Sequence, residues 1–233
     1  MIRSSRSLFA AARHLLAWVC GLVSVLNGQA GWARATATCL AAAEHAAPAA
    51  GTRLRIAAGT TYSGTITITN DSVVVDNYGT LAGTIVVSSG VRGTVLNNLG
   101  CVTSQTIYLN APTIINNGRD GAASASWTGY IGDTFGAAVV INNFGLFASE
   151  IYTLPGGTIH NRRGATWAGY IHNSAAPLAI TNEGTWQAPL LATGRLRVRN
   201  TGLWTSRLIT SGPATVANVR PWTTRAPGHP PRR

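Results

Sequence analysis

Acidic side chains are scarce in this sequence. Its 233 residues hold seven Asp and Glu, and ionisable residues make up 11% of the chain, about half the usual share. The seven are Glu44, Asp71, Asp76, Asp120, Asp133, Glu150 and Glu183. That scarcity weighs against carboxylate chemistry. Glycoside hydrolysis needs two facing carboxylates, and a calcium-dependent lyase site needs several acidic ligands. Asp76 and Glu183 fall at different places in the pattern described below. Only Asp120 and Asp133 share a candidate loop. Cysteine is also rare: Cys20, Cys39 and Cys101 are the whole set. No Cys or His pair has metal-ligand spacing, so neither a metal nor a cofactor is expected. His160 and His172 are the remaining candidates for a base or a ligand, and the sequence sets no acidic partner beside either. A GxSxG nucleophile motif is absent.

Lysine is missing altogether, and all 18 basic residues are Arg. An Arg-only set fits a GC-rich genome. The formal net charge of +11 raises the question of nucleic acid. Four of the Arg lie in residues 1–35 and three in the last nine, so the body of the chain carries a smaller excess, and no nucleic-acid partner is expected. The first 35 residues read as a secretory signal: Arg3 and Arg6, then the apolar run from Leu8, then Ala33-Arg34-Ala35 as a small-x-small cleavage site. A membrane anchor is the rival reading. The uncharged stretch Leu15–Leu26 is short against the roughly 20 residues of a bilayer span. Export with no membrane span after cleavage is therefore expected, at the cell surface or beyond it. In an oxidising compartment Cys39 and Cys101 can pair as a disulfide; the alternative is two separate buried thiols.

What the sequence has is a repeat. An aliphatic residue stands two before an Asn in "VDNYGTL", "LNNLGCV", "INNGRDG", "INNFGLF", "IHNRRGATW", "ITNEGTW", "VRNTGLW" and "VANVRPW". The anchors are Asn77, Asn98, Asn117, Asn143, Asn161, Asn182, Asn200 and Asn218, spaced 21, 19, 26, 18, 21, 18 and 18 residues apart. Four residues after most anchors comes a large side chain: Leu81, Val102, Phe147, Trp186, Trp204 and Trp222. Trp127 and Trp167 take that place where the turn is longer. A small residue follows two later (Gly83, Ser104, Gly129, Ser149, Gly169, Ala188, Ser206), then an aliphatic (Ile85, Ile107, Ile131, Ile151, Ile171, Leu190, Leu208).

Large, x, small, x, aliphatic alternates with period two, which marks a strand with one buried face. The anchor Asn shares the parity of the aliphatic before it, so it points inward at a corner. Gly79, Gly100, Gly145, Gly184 and Gly202 follow the Asn by two, with Gly118 and Gly164 displaced by one. Positive φ is the expected reason for these glycines. A lone coil of about 20 residues cannot bury enough to offset its ordering. Stacked coils can, because equivalent positions then lie about 4.8 Å apart and Asn amides can bond in ladders. The expected fold is all-β: a single parallel β-helix, or β-solenoid, of about eight to ten coils, wound right-handed as parallel crossovers are. The expected organisation is a signal at 1–35, an N-terminal cap at 36–52, the solenoid at 53–222 and a disordered Pro/Arg-rich tail at 223–233. An all-β sandwich is the alternative, but it would not need the same Asn and aromatic in register.

With its N-terminal signal, "AGTTYSGTITI" at 58–68 and the recurring NxG coils, the chain resembles the Asn/Gly-rich β-solenoids of secreted bacterial surface proteins and adhesins, over about residues 53–222. The resemblance implies export, surface display and an attachment or matrix role. The sorting or anchoring segment that often follows such a solenoid is not recognisable here, which leaves a released product open.

Surface chemistry is expected at "RLRVRN". Arg195, Arg197 and Arg199 alternate with Leu196 and Val198 and so project outward from one strand. Arg207 is expected beside them from the next coil, and Arg162 and Arg163 from two coils earlier. Such a stripe can grip acidic sugars or phosphate; it can equally be a charged face that keeps sheet edges from aggregating. The Trp side chains could be read as a sugar platform, but their inward parity assigns them to the core. Outward Thr in "TITIT" at 65–69 is one strand without a ladder, too little for binding ice. The expected function is non-enzymatic: a structural or adhesive solenoid binding acidic glycans, with open ends that allow end-to-end self-association. The alternative is a carbohydrate-active β-helix enzyme, a lyase or hydrolase with its acids at Asp120 and Asp133.

Overall fold

The computed structural model describes residues 38–40, 46–104, 106–121, 124–132 and 137–219. Among them every strand pairing is parallel, and strands recur in a fixed three-sided cycle. Each coil contributes a four- or five-residue strand that ends at the anchor, turns a corner, makes a two-residue strand, turns again, and adds a short strand or a single bridge. The result is a parallel β-solenoid of about eight turns. A sandwich would require antiparallel or mixed sheets, and none is present among the described residues.

The first face is a ten-stranded sheet running from Thr38–Cys39 and Arg53–Ile56 through Val74–Asn77, Thr113–Asn117 and Gly157–Asn161 to Ala214–Asn218. Its register sets each anchor directly over the one before: Asn77 opposite Asn98, Asn117 opposite Asn143, Asn161 opposite Asn182, Asn200 opposite Asn218. The second face is an eight-stranded sheet of two-residue strands from Thr61–Tyr62 to Leu203–Trp204. The third face is formed by Thr65–Ile68, Thr84–Val87 and Ile107–Leu109, then by single bridges through Ile131, Ile151 and Ile171, then by Leu190–Ala192 and Leu208–Thr210. The described part of the 36–52 segment belongs to this stack. Thr38–Cys39 pairs with Leu54–Arg55, and Ala46 bridges Ile66. Residues 1–35 and 223–233, with Trp222, lie outside the described residues.

The core is a set of columns. Leu96, Ile115, Ile141, Ile159, Ile180 and Val198 rise behind the first face, all buried. At the second face Trp127, Phe147, Trp167, Trp186 and Trp204 form one stack, with successive centroids 5.7, 4.3, 4.8 and 4.7 Å apart and ring planes within 20° of parallel. The coil repeat dictates this face-to-face arrangement, since rings at one position of neighbouring coils are about one strand spacing apart. The indole N–H of Trp167, Trp186 and Trp204 donates to the carbonyl two residues on, at Gly169, Ala188 and Ser206. The buried Trp127 N–H has no such partner.

Between these columns runs the Asn ladder. Each Nδ2 donates to the Oδ1 of the next anchor toward the C-terminus at 2.6–2.8 Å, without a break from Asn77 to Asn218. From Asn77 to Asn182 the second Nδ2 proton goes to a main-chain carbonyl in the next coil, such as Cys101, Leu146 or Thr185. At Asn77, Asn98 and Asn143 the Oδ1 also accepts the N–H of the glycine two residues on, at 3.2 Å.

That glycine is needed for space, and the expectation of positive φ is corrected at five positions. Gly79, Gly100, Gly145, Gly184 and Gly202 do not have it. A Cβ there would lie 2.1–2.3 Å from a carbonyl oxygen of the coil below, closer than any real contact. Only the displaced pair, Gly118 and Gly164, sit at φ 88° and 80°.

Candidate functional site

Sheet parity decides which polar groups reach solvent. On the strand Leu196–Asn200 burial alternates, with Leu196, Val198 and Asn200 inside and Arg197 and Arg199 exposed; Arg195, just before it, is exposed too. The register puts Ala179 beneath Arg197 and Thr181 beneath Arg199, with Thr215 and Ala217 above them. The stripe thus has neutral neighbours along the axis, and none of its three guanidiniums forms an ion pair among the described residues.

The structure separates the other expected Arg from this stripe. Arg207 precedes Leu208–Thr210, so it lies on the third face. Arg162 is half-buried with its guanidinium 5.7 Å from the Phe144 ring centroid, while Arg163 is exposed. His160, one before its anchor, lies directly below Thr181. Burial pushes its pKa down and the Arg162 charge adds to that, while Glu183 opposes it.

A second ladder runs along the outer side of the same sheet. Asn97 donates to Asp76, Asn116 to Asn97, and Asn142 to Asn116, at 2.8–2.9 Å. It donates toward the N-terminus, opposite to the inner ladder. It ends on the Asp76 carboxylate, which Arg53 grips through two nitrogens. That contact raises the Arg53 pKa further. Asp76 is therefore a buried structural charge, 1% exposed. The doublets "LNN" and "INN" of the sequence carry both ladders: the second Asn of each is the anchor, and the first belongs to the outer rail.

Three further expectations are corrected or fall outside the described residues. His172 does have an acidic neighbour: its Nε2 is 3.5 Å from Glu150 Oε2. The bridge between Ile151 and Ile171 sets Glu150 beside Tyr170 and Tyr152 beside His172, so Glu150 reaches His172 diagonally across the two coils. Cys101 is an exposed free thiol. The Cys39 backbone pairs with Arg55 on the first face, while Cys101 pairs with Thr80 and Ser126 on the second face, several coils further along the stack. The stack holds the two beyond disulfide reach. Asp133 is outside the described residues, and Asp120 is exposed in its loop. Among the described residues no three His, Cys, Asp or Glu side chains gather as metal ligands, and no helix is long and apolar enough to cross a membrane.

No protein-family model, curated protein or solved structure matches the chain.

Proposed function

We propose that this protein is a secreted, non-enzymatic β-solenoid of structural or adhesive role, of the kind displayed at bacterial surfaces, and that it binds acidic polysaccharide through Arg195, Arg197 and Arg199. The observation that carries the reading is the exposure of these three guanidiniums along the strand Leu196–Asn200 and the residue before it, with no ion pair to a carboxylate among the described residues. Alternate residues of a strand lie about 7 Å apart on one face, and each planar guanidinium can fork onto a carboxylate or sulfate. A rigid sheet fixes that spacing in advance, which lowers the entropy cost of binding an extended polyanion. Export is supported by the composition of residues 1–35. End-to-end self-association is supported by Ala214–Asn218, which is exposed throughout and paired on one side only among the described residues.

The test is affinity electrophoresis through gels containing polygalacturonate, alginate or heparin. The wild type should be retarded, and Arg195→Gln/Arg197→Gln/Arg199→Gln should lose most of that retardation with an unchanged melting temperature. Equal retardation of both would dismiss the stripe. Release of oligosaccharides from any of these polymers, abolished by one acidic substitution, would replace the adhesive reading with the lyase or hydrolase reading.

A further inference from the structure

The third face carries chemistry that the Arg stripe does not use. Ile107, Ile131, Ile151 and Ile171 bridge in a line and are buried, so the residues on either side of each project outward in two columns. One column reads Tyr130, Glu150, Tyr170; the other reads Tyr108, Gly132, Tyr152, His172. Four of the six tyrosines in the chain thus collect on one face. Tyr108 and Tyr152 are 42% and 52% exposed. The Tyr108 ring lies across Gly132, where an added Cβ would stand 3.1 Å from the ring. His172 is packed between Tyr170, at 4.2 Å between centroids, and Tyr152, at 5.6 Å. It faces the largely exposed Glu150 carboxylate.

We propose that this strip is a second binding site, for an extended neutral polysaccharide lying along the solenoid axis. Exposed aromatic rings anchored on a rigid surface offer broad apolar faces with polar rims, and they lose little entropy on contact. A pyranose presents a matching apolar C–H face and a rim of hydroxyls. Tyr108 and Tyr152 are two coils apart, about 10 Å along the axis, a separation that spans two sugars and so seats alternate rings of one extended chain. Glu150 stands between Tyr130 and Tyr170 in the first column. A carboxylate accepts from two neighbouring hydroxyls through charge-assisted bonds, and it repels phosphates, sulfates and uronic acids. That charge separates this site from the Arg stripe, which lies on another face and selects the opposite ligand. Packing of the half-buried His172 against two rings and beside Glu150 fixes the carboxylate side of the strip. The proposal does not depend on the acidic-polysaccharide reading.

The experiment is affinity electrophoresis of the full chain through gels containing arabinoxylan, galactomannan, hydroxyethylcellulose or dextran. At least one should retard the wild type. Tyr108→Ala/Tyr152→Ala should weaken that retardation by about tenfold or more, and Tyr152→Phe, which keeps the ring, should retain most of it. Glu150→Gln, at an exposed position that tolerates replacement, should weaken it as well. The triple Arg→Gln variant should bind the neutral polymer as the wild type does. Absence of retardation in all four gels overturns the proposal. So does retardation left unchanged by the double Tyr variant and by Glu150→Gln, or retardation lost in the triple Arg variant.

Discussion

An interior anchor of the ladder is fully engaged. Asn161 donates to Asn182 and to the Thr185 carbonyl, and accepts from Asn143, while being 0% exposed. Cutting it back to Ala therefore does more than remove bonds. It leaves one Asn143 N–H and the Asn182 Oδ1 buried without that partner, each costing roughly 1–3 kcal/mol. Asn161→Ala should lower stability by about 3 kcal/mol or more, read as a shift in the denaturation midpoint. Asn218 accepts from Asn200 in an exposed strand, where water can replace what is lost. Asn218→Ala should cost under about 1 kcal/mol. Similar costs at the two positions would mean that the ladder is incidental to stability. The buried Trp127 N–H lacks the bond its three counterparts make and so carries the same kind of cost, offset by the area its ring buries in the stack.

At the scale of the coil, the corner decides how closely turns can approach. A Cβ on Gly145 would stand 2.1 Å from the Ala125 carbonyl oxygen, which itself accepts a ladder bond from Leu146. Gly164 has φ 80° and nothing within 4 Å of an added Cβ. Gly164→Ala should therefore cost only the left-handed backbone penalty, about 1–2 kcal/mol. Gly145→Ala must push two coils apart in a close-packed stack, so its melting temperature should fall further than that of Gly164→Ala. The reverse order would show that backbone conformation rules the corners. This contrast also marks what the sequence reveals. The positions of Asn, aromatic and aliphatic were legible because each recurs with the coil and so advertises its column. The cause of the corner glycine was not, because space and φ leave the same letter. The outer ladder from Asp76 to Asn142 was half-legible in the Asn doublets. The removal of Arg207 to the third face was legible, since Leu208 beside it fills the aliphatic place of the repeat. The meeting of His172 with Glu150 was not, because Trp167 stands six residues after its anchor and Phe147 four after its own, so these coils do not align at a fixed period.

Over the whole molecule each coil touches only its neighbours, so stability is close to a sum of coil terms and interface terms. The two ends of that sum are chemically unlike. Toward the N-terminus the inner ladder starts above Ile56, which occupies the anchor position beneath Asn77 and is fully buried. The outer ladder stops there too, on the Asp76–Arg53 ion pair. Amide dipoles aligned along the outer rail thus finish on a fixed charge. Toward the C-terminus the last described strand of the ten-stranded sheet, Ala214–Asn218, is exposed at every residue, its Val216 at 42%, and Ile209 on the third face is 43% exposed. Opening a coil at this end breaks one interface; opening one in the middle breaks two. Fraying should accordingly begin at the C-terminal coils and move inward. Hydrogen exchange checks this directly: the strand amides of Leu196–Asn200 should exchange well before those of Thr113–Asn117, with Val74–Asn77 nearer the slow limit. Equal protection at all three would show that the stack opens as one unit, and that the ladders bind distant coils into a single cooperative block.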